Sequence, residues 1–288
     1  MIRSILVATD FSPAADAAVT QAARLATRLN AALHVLHAPS NDLNDELAAF
    51  FPDTKDYGVQ SATDAIRERI AASLAAIDAP KNAEILVQPG NAFKEILTAI
   101  EKTGADLLVL GSTGETGAKL GTVGGKCVRK APIDTLLVPA GGKAPFDHIT
   151  ACVDFSELSP QVIKSAAGIA RADSGSLTAL YAHEKVDQSV FCKGPPQELI
   201  DKLPGVIEQR FASELAPLAG ETPVSFTMTV CRSYSEGIVR HAADSGTSLV
   251  ALGTTGRSGI AYLLLGTTAE KVIREVGCAV LAVKPRKS

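Results

Sequence analysis

The sequence predicts an α/β protein made of two tandem, doubly wound domains, each a five-stranded parallel sheet layered with helices in the flavodoxin-like manner. Two observations carry that class. Apolar runs of 4 to 7 residues alternate with longer segments of helical periodicity along the 288 residues, the pattern of parallel strands joined by right-handed helical crossovers. The pattern also occurs twice. Ile5-Leu6-Val7-Ala8-Thr9-Asp10-Phe11-Ser12 returns as Ile149-Thr150-Ala151-Cys152-Val153-Asp154-Phe155-Ser156, an offset of 144, and Gly104 to Gly114 is answered by Gly246 to Gly256 at an offset of 142. Solenoid repeats run to roughly 20 to 50 residues, so a period this long belongs to duplicated domains. The seam falls at Ala140-Gly141-Gly142-Lys143-Ala144-Pro145, giving domains over 1–143 and 144–288.

In the first half, strands are expected near 4–9, 32–37, 83–88, 105–110 and 135–139, with helices in the gaps. The first helix starts after Ser12, a usual N-cap, with Pro13 in its first turn. Ala15, Ala18, Val19, Ala22, Leu25 and Ala26 share the face that should cover the sheet. The second half repeats the order, with strands near 149–153, 176–182, 224–230, 248–252 and 279–283 and helices near 159–173, 197–218, 235–245 and 267–276. Polar inserts at 39–60 and 184–196, broken by Pro or Gly, are either lids or plain surface connections.

Composition removes several function classes. A chain 46% hydrophobic and 20% charged can build a core in each half. No apolar run approaches the ~20 residues that span a bilayer, and Met1-Ile2-Arg3-Ser4 leads into a strand rather than a signal peptide, so the expected address is cytoplasmic, with no membrane partner. A net charge of −3 gives no electrostatic footprint for nucleic acid. Cys127, Cys152, Cys192, Cys231 and Cys278 are scattered and odd in number, which points to reduced, buried thiols rather than a disulfide framework or zinc site. His34 and His37 fall on opposite faces of one strand and make a poor metal pair; no metal site is expected.

Ligands of an open parallel sheet bind outside the carboxyl ends of the strands, where the strand order reverses. Asp10, Asp154 and two Gly-rich loops lie at such ends. An aspartate there can accept hydrogen bonds from an adenine amino group or a ribose hydroxyl, or it can cap the next helix, and Ser12 and Ser156 are also available as caps. Gly253-Thr254-Thr255-Gly256, nine residues, then Gly266-Thr267-Thr268 suits a phosphate cradle: glycines admit backbone to the ligand, and the following helix offers free N–H groups. Thr267 adds a hydroxyl, and Arg257 either supplies charge or is a solvated surface arginine. Gly125-Lys126-Cys127 is not a Walker A loop, and neither a Gly-x-Gly-x-x-Gly fingerprint nor a Gly-x-Ser-x-Gly elbow is present. No catalytic residues are assigned. A slow ATPase would have only Arg257 and Thr267 near the terminal phosphate and lacks a general base.

These residues resemble the universal stress protein family in its tandem two-domain form, over nearly the whole chain. The family's ATP-binding members carry Gly-x2-Gly-x9-Gly-Ser/Thr, matched by Gly253, Gly256, Gly266 and Thr267 with Thr268 next. The family's strand-one aspartate falls on Asp10 and Asp154, and its adenine-contacting backbone position on Ala38 and Ala182. The resemblance implies an adenine nucleotide alpha hydrolase-like fold and a non-enzymatic, ATP-binding stress and signalling protein. It further implies ATP or another adenine nucleotide as ligand, with or without Mg2+, halves that pair through their last strands, and a homodimer. A nucleotide-free scaffold acting through protein partners is the alternative. In domain 2 the nucleotide residues are Asp154, Ala182, Gly253, Gly256, Arg257, Gly266, Thr267 and Thr268; their domain 1 counterparts are Asp10, Ala38, Gly111, Gly114, Gly121 and Thr122.

The two halves depart from the family pattern differently. Aligning the last helices sets Gly121-Thr122 over Gly266-Thr267 and leaves the first loop three residues shorter, which would shift the phosphate-binding amides and argues against nucleotide in domain 1. After strand three, Gly90-Asn91-Ala92 is close to the family's turn beside the ribose, whereas the second copy reads Arg232-Ser233-Tyr234. Either bulky residue would narrow the pocket or reach the nucleotide.

Overall fold

Every apolar run named above is a strand in the computed structural model, which describes residues 2–40, 57–77, 79–112, 121–184, 197–256 and 265–285. The chain divides into two units, Met1–Ala144 and Pro145–Ser288. In the first, β1 (Ser4–Ala8), β2 (Ala32–His37), β3 (Glu84–Val87), β4 (Leu107–Ser112) and β5 (Asp134–Pro139) lie parallel in the order β3-β2-β1-β4-β5. In the second, β6 (His148–Cys152), β7 (Ser176–Glu184), β8 (Val224–Cys231), β9 (Leu249–Gly253) and β10 (Ala279–Val283) repeat it as β8-β7-β6-β9-β10. Each unit is therefore doubly wound. Its order reverses beside the first strand, so a crevice opens at the carboxyl ends of β1 and β4, and likewise of β6 and β9.

The helices of the first unit are α1 (Pro13–Leu29), α2 (Tyr57–Ala76), α3 (Ala92–Thr103) and α4 (Thr122–Lys130). Those of the second are α5 (Ser159–Asp173), α6 (Gln197–Arg210), α7 (Tyr234–Asp244) and α8 (Thr267–Glu275). The Ser12 hydroxyl caps α1, accepting from the Ala15 N–H at 3.2 Å, and Asn30 closes it in the left-handed conformation at φ 51°. The expected face of α1 is buried, and so are Ala14, Ala17 and Gln21. Gln21 is polar and fully enclosed because the chain beyond β5 satisfies it: its Nε2 donates to the Gly142 and Ala144 carbonyls at 2.7 and 2.6 Å, and its Oε1 accepts from Arg24. The inserts at 41–56 and 185–196, and Cys192 with them, lie outside the described residues.

Two local expectations change. The helix expected over 197–218 is α-helical only to Arg210, then takes a π turn (Phe211–Leu215) and a 3-10 turn (Ala216–Ala219). The π turn carries two apolar anchors, Phe211 and Leu215, both buried, with the Phe211 ring stacked on Phe226 at 4.7 Å between centroids. The second change is at the start of α5. Ser156 does not cap it; α5 begins at Ser159, whose hydroxyl turns instead to Asp154.

Burial also sets a pH dependence. His241, in the last turn of α7, is half-buried, and desolvation holds its pKa below the ordinary 6.5 despite the opposing charge of Asp244. The unfolded chain then takes up the proton before the folded one, so the stability from neutral His241 is complete above about pH 6.5 and is lost as pH falls through the lower folded value. Urea unfolding at about pH 7 and about pH 5 should show a larger fall in midpoint for the parent chain than for His241→Gln. Equal falls would remove His241 as the cause.

Candidate functional site

The crevice of the second unit holds a cavity of about 330 Å³, within the range of about 300 to 1,000 Å³ usual for small-molecule sites. Its wall includes Asp154, Ala182, Gly253, Gly256, Gly266, Thr267 and Thr268, so seven of the residues singled out in the sequence meet around one space. Arg257 lies outside the described residues. The rest of the wall is largely apolar, with Val153, Leu158, Leu180, Ile238 and Leu252 among its members.

Asp154 is presented by a strained turn. Phe155 follows it at φ 59°, a left-handed conformation that costs a non-glycine residue about 1 to 3 kcal/mol. Aromatic and cationic neighbours hold it there: the Phe155 ring packs on Tyr181 at 5.6 Å, and the Arg210 guanidinium sits 4.5 Å above it. The turn lets the Ser156 N–H donate to Asp154 Oδ1 at 2.9 Å. The Ser159 hydroxyl donates to the same oxygen and accepts from the Asp154 N–H, each at 3.1 Å. With Oδ1 so engaged, the carboxylate is oriented with Oδ2 toward Gly256, where a β-carbon would approach it to 3.2 Å.

The opposite rim is the start of α8. Its N-cap, Gly266, supplies no side-chain acceptor, so the N–H groups of Thr267, Thr268 and Ala269 in the first turn are directed at the cavity without a cap. The loop is pinned at its base. Gly266 N–H donates to the Thr254 carbonyl at 2.8 Å, while Thr254, buried, donates through both N–H and hydroxyl to the Val283 carbonyl at 2.9 and 3.1 Å. Asp154 is the formally charged side chain among the described lining residues, so an anion here would rest on backbone N–H groups and the helix dipole. The wall also contains the Cys152 thiol, whose pKa is pushed far up, first by burial and then by Cys278 and Asp154, and which therefore stays neutral.

The first unit has a smaller counterpart of about 250 Å³, walled by Asp10, Ala38, Gly111, Gly121 and Thr122, while Gly114 lies outside the described residues. Gly121 and Gly266 are both N-caps of nine-residue helices. Phe11 at φ 61° mirrors Phe155, with His37 packed on it at 4.6 Å and the Arg69 guanidinium 3.9 Å above. One difference matters: the place of Ser159 is taken by Ala15, so Asp10 has the Ser12 N–H at 3.0 Å on Oδ1 and Ala15 brings it no hydroxyl.

Some of the site was not read from the sequence. Ser159 and Thr254 were passed over, although setting Ala15 against Ser159 marks the first as a place where the two copies differ. Gly111 and Gly253 also let the first helix of their own unit approach, α1 in one case and the residue leading into α5 in the other. A β-carbon on Gly111 would lie 2.5 Å from the Ala14 carbonyl carbon, and one on Gly253 would lie 3.1 Å from Leu158.

A sequence model described as the universal stress protein family matches residues 1–139 and again 145–284. Universal stress protein Rv2623 of Mycobacterium tuberculosis is 28% identical over 285 residues, covering 93% of this chain and 92% of the relative. Universal stress protein MJ0531 of Methanocaldococcus jannaschii is 31% identical over 150 residues, covering 51% of this chain and 86% of its own. The crystal structure of a universal stress protein from Archaeoglobus fulgidus matches with a TM-score of 0.70 over 98% of both chains at 18% identity, a likeness of fold.

Proposed function

This chain belongs to the universal stress protein family, and from that premise we propose that its C-terminal unit holds an adenine nucleotide, ATP foremost, in the cavity between Asp154 and the start of α8. The observation that carries the proposal is that cavity: an apolar chamber with a fixed carboxylate on one wall and an uncapped helix N-terminus on another. Apolar walls suit a base, the oriented Asp154 suits a ribose hydroxyl or an exocyclic amine, and the N–H groups of Thr267, Thr268 and Ala269 suit phosphate oxygens. Gly256 and Gly266, which line the cavity without side chains, suit the approach of a chain of phosphates, with or without Mg2+. The reading is one of binding and signalling: Asp154 Oδ1 is held by Ser156 and Ser159, which fixes the carboxylate as an acceptor for the ligand.

Equilibrium dialysis with labelled ATP tests it. One nucleotide per chain is the expected result. Two per chain would bring the cavity of the N-terminal unit into the function, and no binding would overturn the proposal in favour of a nucleotide-free scaffold.

A further inference from the structure

We propose that the phenol ring of Tyr234 forms the face against which the base of the bound nucleotide packs, making it a specificity-determining residue of the C-terminal site. The inference rests on the nucleotide reading above. Ser233 caps α7, its hydroxyl accepting from the Glu236 N–H at 3.4 Å, which makes Tyr234 the first helical residue. Side chains of a helix tilt toward its N-terminus, so this ring leans out over the carboxyl ends of the strands. One turn on, Ile238 lines the same cavity, and the pair presents one continuous face of α7 to it.

The place of α7 is fixed. A β-carbon on Gly237 would lie 2.8 Å from Cys231 Sγ, so α7 sits hard against the end of β8, while the Cys231 thiol donates to the His183 carbonyl at 3.4 Å. The helix also packs on β7, and Tyr234 lines the same chamber as Ala182. Arg232, by contrast, is exposed and lies outside the lining. Of the two bulky residues that replace the small turn of the first copy, one faces solvent and the other faces the site.

In the N-terminal unit Ala92 takes the corresponding position and the cavity is about 250 Å³; with Tyr234 it is about 330 Å³. Tyr234 lines the cavity and is 40% exposed. A purine is the part of an adenine nucleotide able to cover it, and aromatic stacking on a base is worth about 1 to 3 kcal/mol.

Calorimetric titration of ATP and of inorganic tripolyphosphate into the full chain, Tyr234→Ala and Tyr234→Phe tests the inference. Tyr234→Ala should weaken ATP about tenfold and Tyr234→Phe by no more than about twofold, because the ring and not the hydroxyl makes the contact. Tripolyphosphate, which has no base, should bind all three alike. The chain has four tyrosines and no tryptophan, so tyrosine emission reports directly: ATP should quench it less in Tyr234→Ala than in the parent. If Tyr234→Ala fails to fold, Tyr234→Leu replaces it and should behave the same way toward ATP. Unchanged ATP affinity in Tyr234→Ala, or equal losses in Ala and Phe, overturns this inference and leaves the nucleotide reading standing. Absence of ATP binding by the parent overturns both.

Discussion

Gly111→Ala is expected to destabilise the N-terminal unit by about 2 to 3 kcal/mol, the upper part of the range for overpacking a well-filled core. The new β-carbon would lie 2.5 Å from the Ala14 carbonyl carbon, 2.6 Å from the Ala15 nitrogen and 2.8 Å from the Ala14 oxygen. All three are backbone atoms of the first turn of α1, so no rotamer change relieves the overlap. The helix itself must move, and it is held on several sides: Ala14, Ala15, Ala17 and Ala18 are buried, and Gln21 is tied to Gly142 and Ala144. At the matching place in the second unit, Gly253→Ala should cost less, about 1 kcal/mol, because its nearest neighbours, Leu158 Cδ1, the Thr255 carbonyl oxygen and Leu158 Cβ, lie at 3.1, 3.1 and 3.2 Å and need give by only a few tenths of an ångström. Urea unfolding followed by circular dichroism reads both. A lower midpoint with unchanged slope is expected for Gly111→Ala, and a midpoint equal to that of the parent would show that α1 yields at no cost.

Duplication made the fold legible, since each apolar run has its copy and the runs alternate with helical segments in the same order in both halves. What escaped the sequence depends on neighbours that no local pattern encodes. Gln21 sits in a run of alanines and looks like the polar edge of α1; it is buried because carbonyls far along the chain are placed to receive it. The π turn at Phe211–Leu215 leaves no mark in the pattern, because two buried apolar residues four apart suit a regular helix equally well, and the stacking of Phe211 on Phe226 joins residues far apart in the chain. Ser156 looks like a cap by composition, yet α5 begins without a side-chain cap, because after the left-handed turn at Phe155 the Ser156 N–H and the Ser159 hydroxyl both donate to Asp154. In the candidate site, glycine spacing picked out residues that wall one cavity. Which of Arg232 and Tyr234 lines that cavity depends on where α7 starts, and the Ser233 cap decides that.

Gly266→Asp should separate fold from function by moving them in opposite directions. Gly266 is the N-cap of α8 at φ −59° and ψ 144°, an extended conformation open to any residue, and a β-carbon there would meet only the Thr254 oxygen at an ordinary 3.5 Å. Aspartate is among the best N-caps and exceeds glycine by a few tenths of a kcal/mol, with a further gain of about 0.3 to 1 kcal/mol from the helix dipole. Its carboxylate would accept from the first-turn N–H groups that now have no cap, so the melting temperature should stay level or rise. Those same N–H groups are the ones assigned to phosphate. Charge-assisted hydrogen bonds are worth about 1.5 to 3 kcal/mol each, so losing two of them lowers ATP affinity by about 100-fold or more, with like-charge repulsion adding to the loss. Gly256 would be a poorer choice, because its β-carbon would press on Asp154 Oδ2 at 3.2 Å and disturb the carboxylate as well. A Gly266→Asp chain that is as stable as the parent and binds ATP equally well would place the phosphates elsewhere than at α8. One that is destabilised would show that α8 already has a cap in solution.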